Sequence, residues 1–573
     1  MKATDYLAAF LKSKGITHVF ELSGGMITHI LDSLYSLKTI SIVSMHHEQG
    51  AAFAADGYSR VKNIPGIALA TSGPGATNLL TGIGSCYFDS VPAIFITGQV
   101  NQHELKGDRK IRQLGFQETD IIAMASPITK KCFPITDVCQ LPEILEEAFN
   151  LAIEGRPGPV LIDIPMNIQR ADIKFVPIKN EFKIKESCIN NQLLNQIFDL
   201  ICLAQKPLIL AGRGVLSSNS KKLFDKFIAL CNIPVVTSLL AIDALAYNNP
   251  LRVGFIGSYG NRWANLSLGA CDCLIVLGSR LDIRQTGADI QGFSMNKTII
   301  HVDIEESEIN NRIKNCIGIH SDIFTFLERA IHYLSQRKMD ENITWLSQIN
   351  ALRQRWSDTN EIVNVKGINP NVFIHQLSIL SPLTQGFIVD VGSHQMWAAQ
   401  SIELNKDQFF ITSGGMGAMG FALPAAIGAC LAGDKKPVVV ISGDGGIQLN
   451  LQELQTIIRN NLPIKIIILN NQSLGMIRQF QDSYFDSRHQ STVWGYSAPD
   501  FEKIANAYGI NSSTISEVTS IKEAIKSLWI DPHTPYLLQV MIDPAANAYP
   551  KIAFGKPLTE MEPFSKPLDM EGT

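Results

Sequence analysis

Two short polar segments in the last third of the chain have residue types that could bind a metal and a phosphate. Gly443-Asp444-Gly445 comes directly after an apolar run, and Asn470-Asn471 ends the next apolar run. Asp444 and Asn471 carry hard oxygen ligands that suit Mg2+ when phosphate oxygens complete its coordination. The glycines let a phosphate approach the backbone, and the start of a helix favours an anion. Gly-Asp-Gly alone is more often an ordinary turn, so the metal interpretation depends on the second segment.

A strand-helix-strand unit is needed to bring these two segments together. An apolar helical pattern at residues 449–458 separates them, and apolar runs precede both. In such a unit the two strands are parallel, and their carboxyl ends lie at the same edge of the sheet. Asp444 and Asn471 are therefore expected to stand side by side.

The same alternation of short apolar runs and helical patterns occurs in three stretches of the chain. It predicts an α/β fold with three doubly wound parallel-sheet domains, whose ligands collect at the carboxyl ends of the strands. The predicted domains span residues 1–175, 193–340 and 366–548, with polar connectors at about 176–192 and 340–365 and a tail at 549–573.

Composition excludes several classes of partner. The chain has 49 Lys and Arg against 53 Asp and Glu, so it has no basic excess with which to bind nucleic acid. It has no apolar run of about 18 residues, so no membrane span is expected. Lys12 and Lys14 interrupt any signal-peptide core. The ten scattered cysteines are typical of a reduced protein, and a cytoplasmic location is expected.

Long motifs follow one another in collinear order through about residues 1–550. They include His47-Glu48-Gln49-Gly50-Ala51, Thr71-Ser72-Gly73-Pro74-Gly75-Ala76-Thr77-Asn78, Phe116-Gln117-Glu118-Thr119-Asp120, Gly155-Arg156-Pro157-Gly158-Pro159, and Ser413-Gly414-Gly415-Met416-Gly417-Ala418-Met419-Gly420. With the Gly443 and Asn470 segments, they make the chain resemble the acetohydroxyacid (acetolactate) synthase large-subunit family of thiamine-diphosphate enzymes.

The resemblance implies an architecture, an activity and a set of cofactors. The three domains would be the pyrimidine-binding, central and diphosphate-binding domains. The enzyme would decarboxylate pyruvate and transfer the two-carbon unit to a carbonyl acceptor. Thiamine diphosphate, Mg2+ and a structural flavin adenine dinucleotide (FAD) are the implied cofactors. The active sites would lie at the dimer interface of a homo-oligomer, either a homodimer or a dimer of dimers.

The resemblance also implies which residues contact thiamine diphosphate. Glu48 would do general acid-base work through the aminopyrimidine ring of the cofactor. Phe116, Gln117 and Lys130 would lie near the donor substrate. The metal ligands would be Asp444, Asn471 and the carbonyl of Ser473. The other implied cofactor contacts are Gly25, Pro74, Asn78, Gly392, His394, Gln395, Gly417, Met419, Gly443, Gly445, Gly446, Leu474, Gly475 and Met476.

A second set of residues is implied for FAD in the central domain. These are Gly212, Arg213, Gly214, Arg280, Asp282, Arg284, Asp303 and Asp322. Arg284 matches the family position for the acceptor carboxylate, and a salt bridge or a flavin contact is an equally good role for it. Two positions depart from the family: Ile283 replaces a second acidic residue, and Phe480 replaces a tryptophan that shapes the acceptor pocket.

Several other functions fit parts of the sequence. The acceptor could be a nucleotide-linked deoxy keto sugar, or the enzyme could be a simple 2-oxo acid decarboxylase. The second reading is weakened because only His103 follows the first sheet, where such decarboxylases carry two histidines in tandem. An inactive binding module would have lost Glu48, Asp444 or Asn471. A nicotinamide dehydrogenase would need a strand-Gly-x-Gly-x-x-Gly-helix unit, which the sequence does not contain.

Overall fold

The computed structural model describes residues 1–174, 191–337 and 342–568, together with residues 177, 189 and 339. These residues form three six-stranded sheets, parallel throughout and flanked by helices, which confirms the predicted fold class. The predicted connector at about 176–192 lies mostly outside the described residues. Within the described part of the chain, no helix combines the length and the apolar composition needed to cross a bilayer.

The first domain places the motif around Glu48 at the carboxyl edge of its sheet. Its strands are β1 (His18–Leu22), β2 (Ser41–Ser44), β3 (Gly66–Ala70), β4 (Ala93–Gln99), β5 (Lys131–Pro134) and β6 (Pro159–Pro165). The order is β2-β1-β3-β4-β6-β5, so the chain reverses direction across the sheet between β1 and β3. The helices are α1 (Ala3–Ser13), α2 (Thr28–Leu37), α3 (Glu48–Lys62), α4 (Pro74–Asn78), α5 (Leu80–Asp89), α6 (Ile121–Ala125), α7 (Leu141–Ile153) and α8 (Met166–Gln169).

The central domain has a different strand order. Its strands are β7 (Pro207–Ala211), β8 (Val235–Thr237), β9 (Arg252–Phe255), β10 (Cys273–Leu277), β11 (Thr298–Asp303) and β12 (Ile317–His320). They are arranged β12-β11-β10-β7-β8-β9, which is the order of dinucleotide-binding sheets, with the switch point between β7 and β10. The helices are α9 (Asn191–Leu203), α10 (Gly214–Ser217), α11 (Lys221–Cys231), α12 (Arg262–Ala270), α13 (Ile283–Thr286), α14 (Ile290–Ser294), α15 (Ile323–Leu334) and α16 (Ile343–Arg355).

The third domain repeats the strand order of the first. Its strands are β13 (Gly386–Val389), β14 (Phe409–Thr412), β15 (Val438–Gly443), β16 (Ile464–Asn470), β17 (Asn511–Ile515) and β18 (Tyr536–Met541). They are ordered β14-β13-β15-β16-β18-β17, with the switch point between β13 and β15. The helices are α17 (Pro370–Ile379), α18 (Ser393–Ser401), α19 (Ala422–Ala432), α20 (Asp444–Ile447), α21 (Glu453–Arg459), α22 (Gly475–Tyr484), α23 (Phe501–Ala507) and α24 (Ile521–Leu528).

The second connector and the tail both pack on the central domain. Trp345 of α16 is buried against α12, in the same apolar cluster as Ile552 and Met561 of the tail. The tail forms a short antiparallel pair, β19 (Lys551–Ile552) with β20 (Met561–Glu562). The described part of the tail is therefore a folded element that covers the central domain.

Helices α3 and α19 join the first and third domains in one apolar core. Both helices are rich in alanine and glycine, so their backbones approach closely. A methyl group at Gly57 would stand 2.0 Å from the carbonyl oxygen of Ala425, and one at Gly428 would stand 1.8 Å from that of Ala54. No side chain fits at either crossing point, which makes this contact sensitive to a single added carbon.

We expect Gly428→Ala to lower the thermal unfolding midpoint, because the added methyl would overlap a backbone carbonyl that a rotamer change cannot move. Overpacking of this kind costs about 1–3 kcal/mol or more. The matched control is Gly25→Ala, where an added methyl meets no atom within 4 Å. Equal midpoints for the two variants would contradict a tight crossing.

Candidate functional site

The carboxyl edge of the third sheet brings the two polar segments together, as their spacing predicts. Asp444 begins α20 directly after β15, and Asn471 follows the neighbouring strand β16. The side-chain oxygen of Asn471 accepts a hydrogen bond from the backbone N–H of Ser473 at 3.3 Å. Gly443, Asp444 and the turn after β13 flank the switch point, where ligands of parallel sheets bind.

Asp444 is a buried carboxylate at the start of α20. Only 2% of its surface is exposed, and its Oδ2 accepts a hydrogen bond from the Tyr496 hydroxyl at 2.9 Å. Burial raises the pKa of Asp444 to about 6, although Tyr496 and the backbone N–H groups of Gly445 and Asn471 oppose the rise. A divalent cation at this carboxylate would favour its charged form.

Three polar atoms near Asp444 are buried without a hydrogen-bond partner. They are the hydroxyls of Ser393 and Ser473 and the Nε2 of His394. Burial lowers the pKa of His394 to about 3, although a hydrogen bond from the ring to the backbone of Asp390 opposes the fall, so its imidazole is neutral. Unpaired buried groups of this kind are rare in proteins, and phosphate oxygens would supply the acceptors that the two hydroxyls lack.

Glycines leave the space around these atoms open. A methyl group at Gly443 would stand 2.7 Å from Nδ1 of His394, and one at Gly475 would stand 2.7 Å from both Asn471 Nδ2 and Ser393 Oγ. Because these glycines have no side chains, an open cradle is left between the polar atoms. We call Ser393, His394, Asp444, Asn471 and Ser473 the diphosphate half-site, since their chemistry fits Mg2+ and a diphosphate.

Residues 413–420, the 413–420 loop, reach this half-site from the end of β14. The Met419 methyl lies 3.5 Å from the position of a methyl group at Gly445, and the Leu474 side chain lies 2.6 Å from it. Gly417 has a φ of +64°, and nothing lies within 4 Å of its free side. The backbone N–H of Gly420 donates to Asp390 at 2.9 Å, and Asp390 also lies against Gly446.

Glu48 occupies the corresponding edge of the first sheet. It begins α3, is 6% exposed, and accepts at Oε2 a hydrogen bond from Asn78 at 2.9 Å. Its Oε1 lies 3.2 Å from the position of a methyl group at Gly75. The positive end of the helix favours the carboxylate. We call Glu48, Gly75 and Asn78 the glutamate half-site.

Four other predicted residues lie near the glutamate half-site. Gly25 and Pro74 flank the switch point between β1 and β3, where nothing stands within 4 Å of the free side of Gly25. Gln117 has a left-handed φ of +65°, and its carbonyl accepts a hydrogen bond from Ser72 Oγ at 2.7 Å. Phe116 beside it is 79% exposed, so the donor site predicted near Phe116 is not closed within a single chain.

The structure does not bring every predicted residue together. Lys130 lies at the amino edge of the first sheet, opposite the edge that holds Glu48, because its backbone N–H pairs with Pro159 where β6 begins. Its Nζ donates to the carbonyl oxygens of Glu154 and Arg156, at 2.5 and 2.9 Å. Burial lowers the pKa of Lys130 to about 8. Within one described chain, no hydrogen bond joins the glutamate half-site to the diphosphate half-site.

Three further residues predicted to contact thiamine diphosphate also lie in the third domain. Gly392 precedes α18 and packs on the His394 ring. Gln395 is buried and donates to Thr412 Oγ1 at 2.7 Å and to the carbonyl of Ser413 at 3.1 Å, so its amide nitrogen ties α18 to β14. Met476 is half-buried in the first turn of α22.

The central sheet carries a large cavity at its switch point. Gly212 and Gly214 follow β7, and Gly278 follows β10. A methyl group at Gly212 would stand 2.2 Å from the carbonyl oxygen of Gly278, and one at Gly214 would stand 2.6 Å from its Cα. The cavity measures about 2030 Å³ and reaches the first and third domains. Apart from Gly212, all of the residues predicted to contact FAD line it.

The charged residues of this cavity differ in their partners. Arg213 has a buried Nε with no partner, and burial lowers the pKa of its guanidinium to about 10. Arg280 pairs with Asp282 at 3.2 Å. Asp322 caps α15 through the backbone N–H of Phe324, and burial raises the pKa of Asp303. The unpaired Arg213 and the glycine turn fit an anionic dinucleotide.

Three residues in or beside the diphosphate half-site were not predicted from the sequence. Tyr496 lies in an irregular segment about fifty residues after Asp444, and no motif marks it. Ser393 stands between two predicted contacts, Gly392 and His394, which was the one signal that could have found it. Asp390 precedes them and accepts a hydrogen bond from the backbone of the 413–420 loop.

Comparison with known proteins finds related domains in three parts of the chain. Three family models match it: the N-terminal TPP binding domain of thiamine pyrophosphate enzymes at residues 1–124, their central domain at residues 194–330, and their C-terminal TPP binding domain at residues 390–540. Both half-sites fall inside the two TPP binding matches.

Curated relatives match the chain over almost its whole length. It is 35% identical to the acetolactate synthase isozyme 2 large subunit of Escherichia coli, over 98% of this chain and 99% of the relative. It is 36% identical to the probable acetolactate synthase large subunit of Methanococcus aeolicus (95% and 93%), and 35% identical to the acetolactate synthase large subunit of Lactococcus lactis (96% and 94%). The chain therefore belongs to the acetolactate synthase large-subunit family of thiamine-diphosphate-dependent enzymes.

Proposed function

We propose that this carboligase decarboxylates pyruvate and joins the two-carbon unit to a second 2-oxo acid. The observation that supports it best is the set of unpaired buried polar atoms around Asp444, facing open glycine turns at a switch point. The full-length similarity to acetolactate synthases does not favour a sugar acceptor or a simple decarboxylase. The cytoplasmic location stays a prediction.

The diphosphate half-site would hold Mg2+ and the diphosphate. Asp444, Asn471 and the carbonyl of Ser473 are the proposed metal ligands, consistent with the few protein oxygens that Mg2+ takes beside phosphate. The Ser393 hydroxyl would donate a hydrogen bond to a phosphate oxygen, and the neutral His394 ring would line the same cradle. Thiamine diphosphate, when bound, supplies the electron sink that lets carbon dioxide leave a 2-oxo acid.

Glu48 would hold a proton at Oε1. Asn78 donates to Oε2, so this oxygen is engaged and Oε1 is left to face the cofactor. A carboxyl group in this position can pass a proton to a ring nitrogen and take it back, which is general acid-base catalysis through a relay. The glycine at position 75 leaves room beside Oε1.

The two half-sites would meet between two copies of the chain. Within one chain the described hydrogen bonds do not join them, and Phe116 beside the glutamate half-site is largely exposed. A second copy related by a twofold axis would cover this exposed ring and form two equivalent sites.

FAD would occupy the central cavity, with a structural role. The strand order of the sheet, the glycine turn at Gly212 and the unpaired Arg213 support this proposal. Arg284 lines the same cavity, and its side chain is exposed. We propose that its guanidinium binds the carboxylate of the acceptor.

We expect Glu48→Gln to lower pyruvate turnover at least about 100-fold, because an amide cannot exchange the proton. Thiamine diphosphate should still bind, which can be measured by calorimetry in the presence of Mg2+. The matched control is Glu21→Gln, a buried glutamate on β1 of the same sheet, which should leave turnover close to wild type. Unchanged turnover in Glu48→Gln would overturn the proposed role.

A mixing experiment tests whether the site is shared. Asp444→Asn should also be inactive alone, since the metal loses its charged ligand. If sites form between chains, a hybrid of Glu48→Gln with Asp444→Asn has one intact site and one doubly changed site. Random mixing should then restore about one quarter of wild-type activity. If each chain builds its own site, the hybrids stay inactive.

The flavin proposal has a readout separate from activity. The purified protein should release flavin on denaturation, and Arg213→Gln should retain it about tenfold less tightly, because a hydrogen bond from a charged group is lost. Arg252→Gln, which changes a buried arginine of β9 outside the cavity, should keep the flavin. The proposal would be contradicted if the wild-type protein contains no flavin as purified and also binds none when FAD is added.

A further inference from the structure

The 413–420 loop depends on a carboxylate from another domain. Asp89 ends α5 of the first domain and is 1% exposed. Its two oxygens accept hydrogen bonds from consecutive backbone N–H groups of the loop, from Gly414 at 3.0 Å and from Gly415 at 2.6 Å. A single side chain thus fixes the direction in which the loop leaves β14.

Arg60 holds Asp89 in this position. Its guanidinium donates to Asp89 Oδ2 at 2.9 Å, to Asp56 Oδ1 at 2.6 Å and to the carbonyl of Thr412 at 3.1 Å. The Arg60 side chain is 2% exposed. Its planar fork of donors holds the three acceptors in fixed directions, whereas the donors of a lysine ammonium rotate on a flexible stem. Arg60 and Asp89 together therefore bind the carbonyl of Thr412, just before the loop, and the N–H groups of Gly414 and Gly415 at its start.

The contact leaves no room for adjustment. A methyl group at Gly415 would stand 2.6 Å from Cβ of Phe88, and one at Gly414 would stand 2.8 Å from the Leu240 side chain. The beginning of the loop is therefore held between the first and central domains. Its backbone can approach Asp89 only because both residues are glycines.

A second buried carboxylate holds the far end of the loop. Asp390 accepts a hydrogen bond from the backbone N–H of Gly420 at 2.9 Å. Across the loop, Oγ of its first residue, Ser413, accepts a hydrogen bond from the backbone N–H of Ala418 at 3.2 Å and contacts Ser85 Oγ at 3.1 Å. The loop that contains Met419 is thus held at its start by a carboxylate of the first domain and at its end by a carboxylate of its own domain.

We propose that Asp89, held by Arg60, is a positioning residue for the reaction, because it sets where Met419 stands beside the diphosphate half-site. This inference rests on the proposed function. Asp89 lies at the start of the loop, and Met419 lies near its end. A displacement at the start would therefore move the part of the loop that faces the cofactor.

The test is Asp89→Asn in the full-length protein. The amide keeps the size of the side chain, but its nitrogen would face a backbone N–H or the Arg60 guanidinium, and a donor would then meet a donor. We expect kcat at saturating thiamine diphosphate and Mg2+ to fall about 10- to 100-fold, as for a reacting group misplaced by about 1 Å. The half-saturating thiamine diphosphate concentration should rise.

A matched control separates positioning from stability. Asp358 is also a buried carboxylate, and it accepts a hydrogen bond from His375 at 2.8 Å. Asp358→Asn should lower the thermal midpoint and leave both kcat and half-saturation within about twofold of wild type, since it does not touch the loop. Parallel kinetic losses in both variants, or unchanged kinetics in Asp89→Asn, would overturn the inference.

A milder variant keeps the inference testable if Asp89→Asn does not fold. Ser85→Ala removes one hydrogen bond to Ser413, and it should shift both kinetic readouts in the same direction, by about fivefold. Unchanged readouts in folded Ser85→Ala would then count against positioning. If wild-type protein itself neither binds thiamine diphosphate nor consumes pyruvate, the proposed function fails and the loop contacts are only structural.

Discussion

The close crossing of α3 and α19 is the contact on which the rest of the molecule depends. Glycines at the crossing let the backbones touch, so the first and third domains share one core. Each helix begins at or near one of the polar edges: α3 starts with Glu48 of the glutamate half-site, and α19 starts at Ala422, two residues after the 413–420 loop ends. Since the crossing fixes both helices, it also fixes the direction in which each domain presents its polar edge.

The fold and the centre of each site could be predicted from the sequence because parallel sheets expose their chemistry at strand ends. Buried strands read as apolar runs, and the polar residue that follows a run stands at the sheet edge. Asp444 and Asn471 came together by this rule alone. The positions of Glu48 and Asn78 were implied by the resemblance, and the structure joins their two motifs through a hydrogen bond between them.

Other features could not be predicted because they depend on pairings between distant segments. Tyr496 reaches Asp444 from an irregular stretch that has no periodicity. Asp89 acts on a loop more than three hundred residues away, and in sequence it is only the end of a helix. The edge at which Lys130 lies follows from the register of β5 on β6, which no local pattern reveals. The tail and α16 pack on the central domain through scattered apolar residues.

The first and third sheets have the same strand order, yet their edges carry different chemistry. The edge of the first sheet presents a carboxylate that is already hydrogen-bonded, and the edge of the third presents unpaired donors around a buried aspartate. One edge is suited to moving a proton and the other to holding an anion. Neither can do both, so a complete site needs one edge of each kind. Within one chain no described hydrogen bond joins the two edges, and Phe116 beside the first edge is largely exposed, which is the physical reason for proposing that the complementary edge comes from a second copy.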